Sequence, residues 1–384
     1  MATSNTLTGL IPTLYTALNV VSREMVGFVP AVARDSTADR AALNQTVRSA
    51  IGDCGALEDI TPGQQPAASG GTAPTYVDVT ITKSKAAPIL WSGEEQLSVG
   101  EFGQYNRILS DQFTNGMRKL VNDVEVDLAL AAVNGASRAC GTAATTPFGT
   151  AGDLSDFANT AKILDDNGCP ISDRQLVLGS NAMANLRGKQ SVLFKVNEAG
   201  TNDMLRNGMT DRVQNFALRY SAGFASHTAG TGTSYQSNNA SGYTAGATSV
   251  ALDTGSGTVL AGDVVTFTGD ANKYVVGTAL TGGVVVLNNP GLRASLADNI
   301  TMAVGAAYTP NVAFDRNAII LACRAPAVPE GGDSADDAMT ITDPLSGITF
   351  EVRVYRQYRQ IKYEIALAWG VKAVKSEHIC LLMG

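Results

Sequence analysis

The feature that most constrains this chain is a long amphipathic segment, residues 101–136. Apolar residues recur there at steps of three or four, which is the period of an α-helix. The expected buried stripe is Phe102, Tyr105, Leu109, Phe113, Met117, Leu120, Val124, Leu128 and Ala131. The expected outer face carries Asp111, Asn115, Arg118, Asn122 and Glu125. At about 1.5 Å per residue the helix is roughly 50 Å long, beyond the usual three or four turns, which favours an architectural role over a catalytic one.

The composition indicates a folded protein with a low surface charge. Among 384 residues, 45% are hydrophobic and only 16% are charged, and glycine occurs 39 times. A surface poor in charge suggests that much of it meets other protein, although glycine-rich loops alone would also lower the charged fraction. The formal net charge of -7 argues against a dedicated nucleic-acid binder. The densest basic group is expected on a solvated strand face and comprises Arg353, Arg356, Arg359 and Lys362.

The cysteines and the apolar runs point to a protein made in the cytoplasm. The five cysteines are scattered and never form a C-x-x-C pair, which fits reduced thiols: Cys54, Cys140, Cys169, Cys323 and Cys380. No signal peptide is recognised, because the first basic residue is Arg23 and Pro12 interrupts the early apolar run. No apolar run approaches the roughly 18 residues that a membrane helix needs, so no membrane contact is expected.

The first hundred residues predict a short helix and then a strand-loop-strand unit. Within residues 7–32 one helical face carries Leu14, Leu18, Val21 and Met25. Such a helix docks on its own domain or reaches a neighbour, and composition leaves both open. Strands are predicted at residues 45–51 and around residues 77–81. The polar, Gly/Pro-rich loop at residues 62–71 is long for a hairpin tip, and such loops tend to be functional or to grip something outside the subunit.

The middle of the chain predicts a mixed layer interrupted by an all-β module. A helix is expected at residues 153–164 with Asp153 as its cap, followed by a buried strand at 176–178 and a short helix at 181–186. From residue 227 to about 304 charge thins out and Gly, Thr, Ser and Val dominate. Short strands are expected near 250–252, 264–267, 274–276, 284–287 and 300–304. Their spacing predicts a small sandwich or barrel inserted into a host domain that resumes at 317–323.

The C-terminal region predicts an antiparallel strand pair. Ile348, Phe350, Val352 and Val354 share one face of the first strand. The second strand shows the same alternation through Ile361, Tyr363, Ile365, Leu367 and Trp369.

The search for catalytic chemistry finds only weak candidates. Asp253-Thr254-Gly255 matches the aspartic-protease tripeptide, but no second Asp-Thr/Ser-Gly occurs, and a strand ending in a turn explains it equally well. His378 lies two residues from Cys380, a spacing more typical of packing than of a nucleophile with its base.

The remaining patterns with possible chemistry are also better explained by structure. Adjacent carboxylates at 94–95, 165–166 and 336–337 are expected to be solvated charges, and residues 188–191 lack the glycine spacing of a phosphate loop. We therefore expect no enzyme activity, no metal and no cofactor.

Several stretches resemble the major capsid proteins of tailed bacteriophages, which have the Hong Kong 97-type fold. The likeness extends to the coat-protein branch of short-tailed Salmonella phages, whose subunits carry an inserted β-domain. Residues 7–15 (LTGLIPTLY) and 26–30 (VGFVP) look like the N-terminal arm, and 91–96 (WSGEEQ) like the approach to the spine helix. Residues 261–269 (AGDVVTFTG) look like the insertion domain, and 366–371 (ALAWGV) like the final strand of the central body.

The resemblance implies an α+β capsid fold with a definite division of the chain. The implied parts are an N-terminal arm (1–44), an extended-loop hairpin with flanking strands (45–100), a peripheral domain with the spine helix (101–149), an axial domain in two parts (150–226 and 305–335), an inserted β-domain (227–304) and C-terminal strands (336–384). The expected inter-subunit contact residues are Leu14, Leu18, Pro62, Gly63, Gln64, Gln65, Pro66, Gly70 and Gly71. The extended loop, residues 52–76, contains no lysine, so we expect a shell without covalent cross-links.

The function implied by the resemblance is that of a capsid subunit. It is expected to form the hexamers and pentamers of an icosahedral shell around double-stranded DNA, which it would contact weakly and without sequence specificity. Scaffolding protein and portal are the implied assembly partners, the virion capsid is the implied location, and assembly is expected in the bacterial host cytoplasm. The alternatives are another phage-derived structural subunit, of a tail or an encapsulating compartment, and, less favoured, an aspartic-type hydrolase that uses Asp253.

Overall fold

The structure is a computed structural model that describes residues 14–15, 17, 27–51, 62, 75–100, 105–190, 212–342 and 348–384. In these residues the fold is α+β, with two large sheets, a separate two-stranded sheet and one long helix. The strands are β1 (Ala33–Ala41), β2 (Thr46–Ile51), β3 (Thr75–Thr80), β4 (Lys83–Ser92), β5 (Arg138–Gly141), β6 (Arg174–Leu178), β7 (Arg212–Val213), β8 (Phe216–Tyr220), β9 (Tyr235–Ser237), β10 (Ser249–Asp253), β11 (Val264–Phe267), β12 (Lys273–Thr281), β13 (Val284–Leu287), β14 (Thr301–Val304), β15 (Pro310–Asp315), β16 (Ile319–Pro326), β17 (Asp337–Thr342), β18 (Thr349–Gln357), β19 (Gln360–Ala373) and β20 (Ile379–Met383). The helices are α1 (Gly93–Gly100), α2 (Tyr105–Asn134), α3 (Ser155–Asp166) and α4 (Ser180–Lys189).

The predicted long helix is present as α2, with bounds that differ from the prediction. It ends at Asn134 rather than at residue 136, and the Asn288 side chain caps this end by donating to the carbonyls of Asn134 and Ala136. Residues 101–104 lie outside the described residues. Most of the predicted stripe is buried, namely Leu109, Phe113, Met117, Leu120, Val124 and Leu128. The helical period therefore identified the buried face correctly.

The first large sheet is built around β19, which has three strand neighbours. Along one edge β19 pairs with β4 from Gln360 to Trp369. Along the other edge it pairs first with β18, as far as Ala366, and then with β16, from Ala368 onwards. This confirms the predicted antiparallel pair of β18 and β19. The helix α2 lies on this sheet at Gly116, where an added Cβ would be 3.1 Å from Ile365 Cδ1, so a small residue permits close packing.

The second large sheet contains the insertion strands together with strands of the host. The predicted strands of residues 227–304 are confirmed as β10 to β14, and β9 is an additional short strand. They enclose a core of their own: Tyr235, Val250, Leu252, Val259, Val265, Phe267, Tyr274, Val276, Val285, Leu287, Leu292, Leu296 and Met302. β12 also pairs with the host strand β5, at Lys273 with Ala139 and at Tyr274 with Arg138. The insertion is therefore hydrogen-bonded into the host sheet and is not a detached sandwich.

The host segments on either side of the insertion contribute to both sheets. Residues 305–335 supply β15 to the second sheet and β16 to the first. The C-terminal residues do the same, because β17, β18 and β19 lie in the first sheet and β20 lies in the second, between β15 and β5. β1 joins the first sheet by parallel pairing with β16, so the last part of the predicted arm belongs to the body.

The helical layer over the second sheet follows the prediction except at its first cap. α3 begins at Ser155, with Leu154 in the capping position, so the prediction of Asp153 as the cap is wrong. The Asp153 carboxylate instead accepts a hydrogen bond from the Ser155 backbone nitrogen at 2.8 Å. This short Asx-type contact satisfies the free N–H of the first helical residue.

The predicted solvated basic face is wrong for Arg353. Its side chain is buried on β18, where Nε lies 2.9 Å from Glu351 Oε1 and the guanidinium also pairs with Asp333. Arg40 binds the same glutamate with two hydrogen bonds, one of them at 2.6 Å. The strand alternation placed Arg353 correctly along β18, but the alternation carries no information about the acidic groups that cover it. Arg356, in contrast, is exposed and pairs with Asp336.

No helix among the described residues is long and apolar enough to cross a membrane.

Candidate functional site

The predicted inter-subunit contact residues are only partly within the described residues. Leu14 is fully buried in the main core of its own chain, so its side chain stabilises its own subunit. Pro62 is exposed. The remaining candidates lie outside the described residues: Leu18, Gly63, Gln64, Gln65, Pro66, Gly70 and Gly71. Their contacts stay a prediction.

The base of the predicted extended loop is a hairpin that belongs to neither large sheet. β2 and β3 pair with each other from Thr46–Thr80 to Ile51–Thr75 and form a separate two-stranded sheet. The hairpin surface is open, with 53% of Tyr76 exposed and the Arg48 guanidinium 5.5 Å from its ring centroid. An isolated two-stranded hairpin is at best marginally stable in water. This projection therefore gains stability from whatever covers it.

The hairpin is attached to the body through a close backbone approach at Gly370. A Cβ added there would lie 2.0 Å from the Thr80 carbonyl oxygen. The Thr82 backbone nitrogen donates to the Trp369 carbonyl at 3.0 Å, just beside this point. The small cluster beneath comprises Ala41, Val79, Ile81, Ala322 and Ala368. Glycine is required at 370 because any side chain would push β3 away from β19.

The N-terminal segment is anchored to α2 by Glu125, which the helical pattern had placed on the outer face. That prediction is wrong: one oxygen of Glu125 accepts from the Phe28 nitrogen at 2.6 Å and from the Ser221 hydroxyl at 2.7 Å, and the other accepts from the Val29 nitrogen at 3.1 Å. Burial raises the pKa of this carboxyl, and the three hydrogen bonds oppose the rise. A Cβ at Gly27 would collide with the same carboxylate, at 1.7 Å. Glu125 thus fixes where the arm enters the body.

The insertion is joined to the C-terminal end of α2 by Asn288. Its amide nitrogen donates to the Asn134 and Ala136 carbonyl oxygens, each at 2.7 Å. These carbonyls belong to the helix end, where no intrahelical donor remains. Sequence reasoning missed this cap, because a side chain more than 150 residues away supplies it. The single local signal is the turn-forming Asn-Asn-Pro-Gly stretch in which Asn288 lies.

The two points where the chain enters and leaves the insertion are bridged by hydrogen bonds. The His227 backbone nitrogen donates to the Tyr308 carbonyl at 2.9 Å. The His227 ring nitrogen Nε2 lies 2.8 Å from Asp263 Oδ1, and this fully buried carboxylate also accepts from the backbone nitrogens of Leu260 and Gly230. The Tyr308 hydroxyl donates to the Gly262 carbonyl at 2.6 Å, and burial raises its pKa. His227 therefore has a structural partner and closes the insertion at its base.

The Asp-Thr-Gly tripeptide forms a turn that packs against its own module. Thr254 adopts a positive φ of 57°, and a Cβ at Gly255 would lie 2.2 Å from the Tyr235 ring. One oxygen of Asp253 is buried and has no hydrogen-bond partner among the described residues. An aspartic mechanism needs two carboxylates that share a proton, and nothing in this turn supplies the second one.

The Cys380 and His378 pair does not have the geometry or the protonation of a nucleophile with its base. Cys380 is fully buried on β20, and burial raises the pKa of its thiol well above the ordinary value. A nucleophilic cysteine needs the opposite shift. The neighbour of the Cys380 thiol is Cys140 across the sheet, and burial lowers the pKa of His378. Cys380 and His378 therefore have packing roles.

The remaining candidate groups have structural partners. No cluster of three metal-ligating side chains occurs in the described part of the chain. Glu95 accepts from the Ser92 nitrogen at 2.8 Å and caps α1, which lowers its pKa. Asp165 and Asp166 pair with Arg174 and Arg138. Gly188 lies inside α4 and not in a phosphate-binding turn.

Comparisons with known proteins give low-scoring structural likenesses. No protein-family model matches the chain, and no curated protein matches it. A solved structure titled as the capsid of Cyanophage P-SCSP1u aligns with a TM-score of 0.45 and 9% identity, over 93% of this chain and 88% of that one. A structure from Mycobacterium phage Che8 aligns with a TM-score of 0.43 and 13% identity, over 90% and 88%. A virus-like particle from Pyrococcus furiosus aligns with a TM-score of 0.41 and 8% identity, over 97% and 98%.

Proposed function

We propose that this chain is the major subunit of a tailed-phage capsid. The observation that carries the proposal is the hairpin of β2 and β3, which stands outside both large sheets at the base of a long polar loop. A monomer gains nothing from an exposed and marginally stable projection. A shell subunit needs one, because each copy must reach its neighbours.

The body that bears the hairpin is suited to set shell geometry. α2 is a 30-residue helix packed along the sheet of β4 and β19. Trp91 binds it at Gln112, the N-terminal segment binds it at Glu125, and Asn288 binds its C-terminal end. A helix fixed along its length resists bending. Many weak contacts between such rigid copies add up to a stable lattice.

The finer proposal concerns the shell itself. The subunit forms hexamers and pentamers of an icosahedral shell around double-stranded DNA, assembled in the host cytoplasm with a scaffolding protein and a portal. The division of the chain is the one that the resemblance implies, except that β16, from the second axial segment, lies in the first large sheet beside β19. The loop of residues 52–76 contains no lysine, so the shell is held by non-covalent contacts.

The contact surface in this proposal is the loop and the hairpin. The proposed contact residues of the loop are Pro62, Gly63, Gln64, Gln65, Pro66, Gly70 and Gly71, and that of the N-terminal segment is Leu18. Leu14, which is buried in its own subunit, acts by positioning the arm.

Imaging of the assembled product tests the proposal. The full chain is expressed with its scaffolding protein, and the product is examined by negative-stain electron microscopy and by denaturing gel electrophoresis. We expect closed icosahedral particles and a single monomer band. Tubes or rings of fixed diameter would favour a tail subunit, and small closed shells formed without scaffold would favour an encapsulating compartment. Monomers and small oligomers under all conditions would contradict the proposal.

A further inference from the structure

Two arginines pair with one carboxylate at one end of the second large sheet, and a third arginine is linked to it through a glutamine. Arg316 Nε lies 2.9 Å from Asp173 Oδ2, and the Arg212 guanidinium lies 3.8 Å from Asp173 Oδ1. Arg219 is close enough to Arg316 for the two positive charges to interact. Among the residues that the structure describes, one aspartate lies among three arginines, so this arginine cluster has an excess of two positive charges there. It belongs neither to the hairpin nor to the insertion.

The strand register brings Arg212, Arg219 and Gln175 to one face of the sheet, and Arg316 follows directly after β15. Arg212 on β7 lies opposite Ala217 on β8, and Ala217 lies opposite Gln175 on β6. Directly paired residues point to the same face, and Arg219 shares the face of Ala217 because it is two residues further along the strand. The cluster is thus a product of the topology and not of a local run of basic residues.

The orientation of Arg219 is fixed by a buried relay. Gln175 is buried, and its amide nitrogen donates to Asp173 Oδ1 at 2.7 Å. Its amide oxygen accepts from Arg219 Nε at 2.9 Å. The terminal amino groups of Arg219 have no hydrogen-bond partner in the part of the chain that the structure describes, and they are not among the buried unpartnered atoms. The outer fork of the guanidinium is therefore held in place and open.

The electrostatics of the cluster fit an anion that is added to it. Burial and the neighbouring Arg316 lower the pKa of Arg219, so the folded chain keeps two guanidinium groups together at a cost. A bound anion removes this repulsion. An arginine fork matches the oxygens of a phosphate group with two parallel hydrogen bonds.

We propose that Arg219, Arg316 and Arg212 form a binding site for a phosphate-type oxyanion, either free phosphate or a nucleic-acid phosphodiester. Asp173 and Gln175 position the arginines and do not bind the anion. The site rests on the cluster alone and is independent of the shell proposal.

Binding of inorganic phosphate to the full chain tests the site. Isothermal titration calorimetry and thermal unfolding are measured in sodium phosphate and in sodium chloride of equal ionic strength. We expect a saturable phosphate effect that chloride does not reproduce, and a loss of affinity of about tenfold in Arg219→Gln and in Arg316→Gln. Arg356→Gln is the matched control, because Arg356 is an exposed, ion-paired arginine outside the cluster. If Arg219→Gln does not fold, Arg219→Lys keeps the charge and removes the fork.

A second arm separates the two phosphate sources. Fluorescence anisotropy with a short DNA duplex is measured for the same variants at low salt. A weaker duplex affinity in Arg219→Gln, but not in Arg356→Gln, supports the phosphodiester as the source, and an unchanged duplex affinity with impaired phosphate binding supports the free ion. The proposal is overturned if phosphate has no effect beyond that of chloride, or if Arg356→Gln weakens binding as much as the cluster variants do. It is also overturned if the cluster variants lose self-association while phosphate binding is unchanged, because the arginines would then pair with a neighbour's carboxylates.

Discussion

The insertion and the hairpin are both attached to the same body, but they differ in how much apolar core each of them contains. The insertion encloses 13 buried apolar residues of its own. The cluster beneath the hairpin has five buried residues. One of them, Val79, lies on a strand of the hairpin. The insertion has a core of its own, whereas the hairpin contributes Val79 to a small cluster shared with the body, with the partly buried Val47 and Val77 packed against it.

The insertion therefore has the apolar core that stabilises a module, whereas the hairpin depends on contacts outside its own two strands. The insertion is also fixed to the host, through the hydrogen bonds of Asn288, the pairing of β12 with β5 and the burial of Val264 and Val275 in the main core. The hairpin has little apolar burial with which to offset the entropy of ordering its strands. In the proposed shell the missing burial comes from a neighbouring copy.

The largest effect is expected inside the insertion core. Phe267 is buried there with only 2% of its surface exposed. Phe267→Ala should lower the free energy of unfolding of the insertion by about 3–5 kcal/mol, because burial is lost and a cavity remains. Hydrogen exchange of insertion peptides measures this, while tryptophan fluorescence reports the body through Trp91 and Trp369. The surface variant Leu260→Ala is the control. If Phe267→Ala unfolds the body together with the insertion, the independence of the module is refuted.

A smaller effect is expected where the hairpin meets the body. Gly370→Ala places a Cβ 2.0 Å from the Thr80 carbonyl, so β3 must shift, at a cost of about 1–3 kcal/mol. Hydrogen exchange should rise in β2 and β3 and stay unchanged in the insertion. Gly188→Ala is the matched control: no atom lies within 4 Å of its added Cβ, and alanine should stabilise α4 by about 0.5–1 kcal/mol. Equal exchange in β2 and β3 of wild type and Gly370→Ala would show that the hairpin is not attached there.

A still smaller effect is expected at Asn288, which joins the insertion to the C-terminal end of α2. Asn288→Ala leaves the carbonyls of Asn134 and Ala136 without their donor, which should cost about 1–2 kcal/mol. Denaturant unfolding followed by tryptophan fluorescence measures the loss. Asn122→Ala, on the exposed face of α2, should change stability by less than about 0.5 kcal/mol. Identical curves for the two variants would rule out the cap.

The anchor of the arm should give a pH dependence of known sign. Burial raises the folded-state pKa of Glu125 above its unfolded value, so protonation favours the folded form. The stabilisation from this group is complete below the unfolded pKa and is lost as pH rises through the raised folded pKa. Relative to Glu125→Gln, which does not titrate, the wild type should therefore lose stability between mildly acidic and neutral pH. Unfolding measured across this range gives the difference, and an opposite slope would mean that the hydrogen bonds outweigh burial.

The smallest effect on the isolated subunit is expected at the exposed face of the hairpin. Tyr76→Ala removes a side chain whose ring lies beside the Arg48 guanidinium. The change should alter the stability of the subunit by no more than about 0.5 kcal/mol. Its effect on particle yield in the scaffold-assisted assembly should nevertheless be large. A normal particle yield would show that the hairpin surface takes no part in the contact between subunits.

The sequence was sufficient for elements whose pattern is periodic and local. The period of α2, the alternation of β18 and β19 and the turn-rich strands of the insertion all followed from residue spacing. It was insufficient where a polar side chain is buried by a distant segment. Glu125 fits the outer face by period, and only the arrival of residues 28 and 29 makes it an anchor.

The same limit explains the candidate sites. Arg353 is predicted to be solvated because Asp333 and Arg40, which pairs with Glu351, reach its strand only in the folded chain. The Asn134 carbonyl lies 154 residues from Asn288, and Gln175 lies 44 residues from Arg219. Periodicity reports which face a residue takes, but not what covers that face. The predicted loop contacts depend on another copy, and no intrachain pattern contains them.

Hydrogen exchange of the hairpin in the free subunit and in the assembled particle tests the central claim most directly. The account predicts that β2 and β3 exchange rapidly in the free subunit and become strongly protected in the particle, while the insertion strands β10 to β13 are slow in both. Equal protection of β2 and β3 in the two states would contradict it, because the hairpin would then be stable without a neighbour.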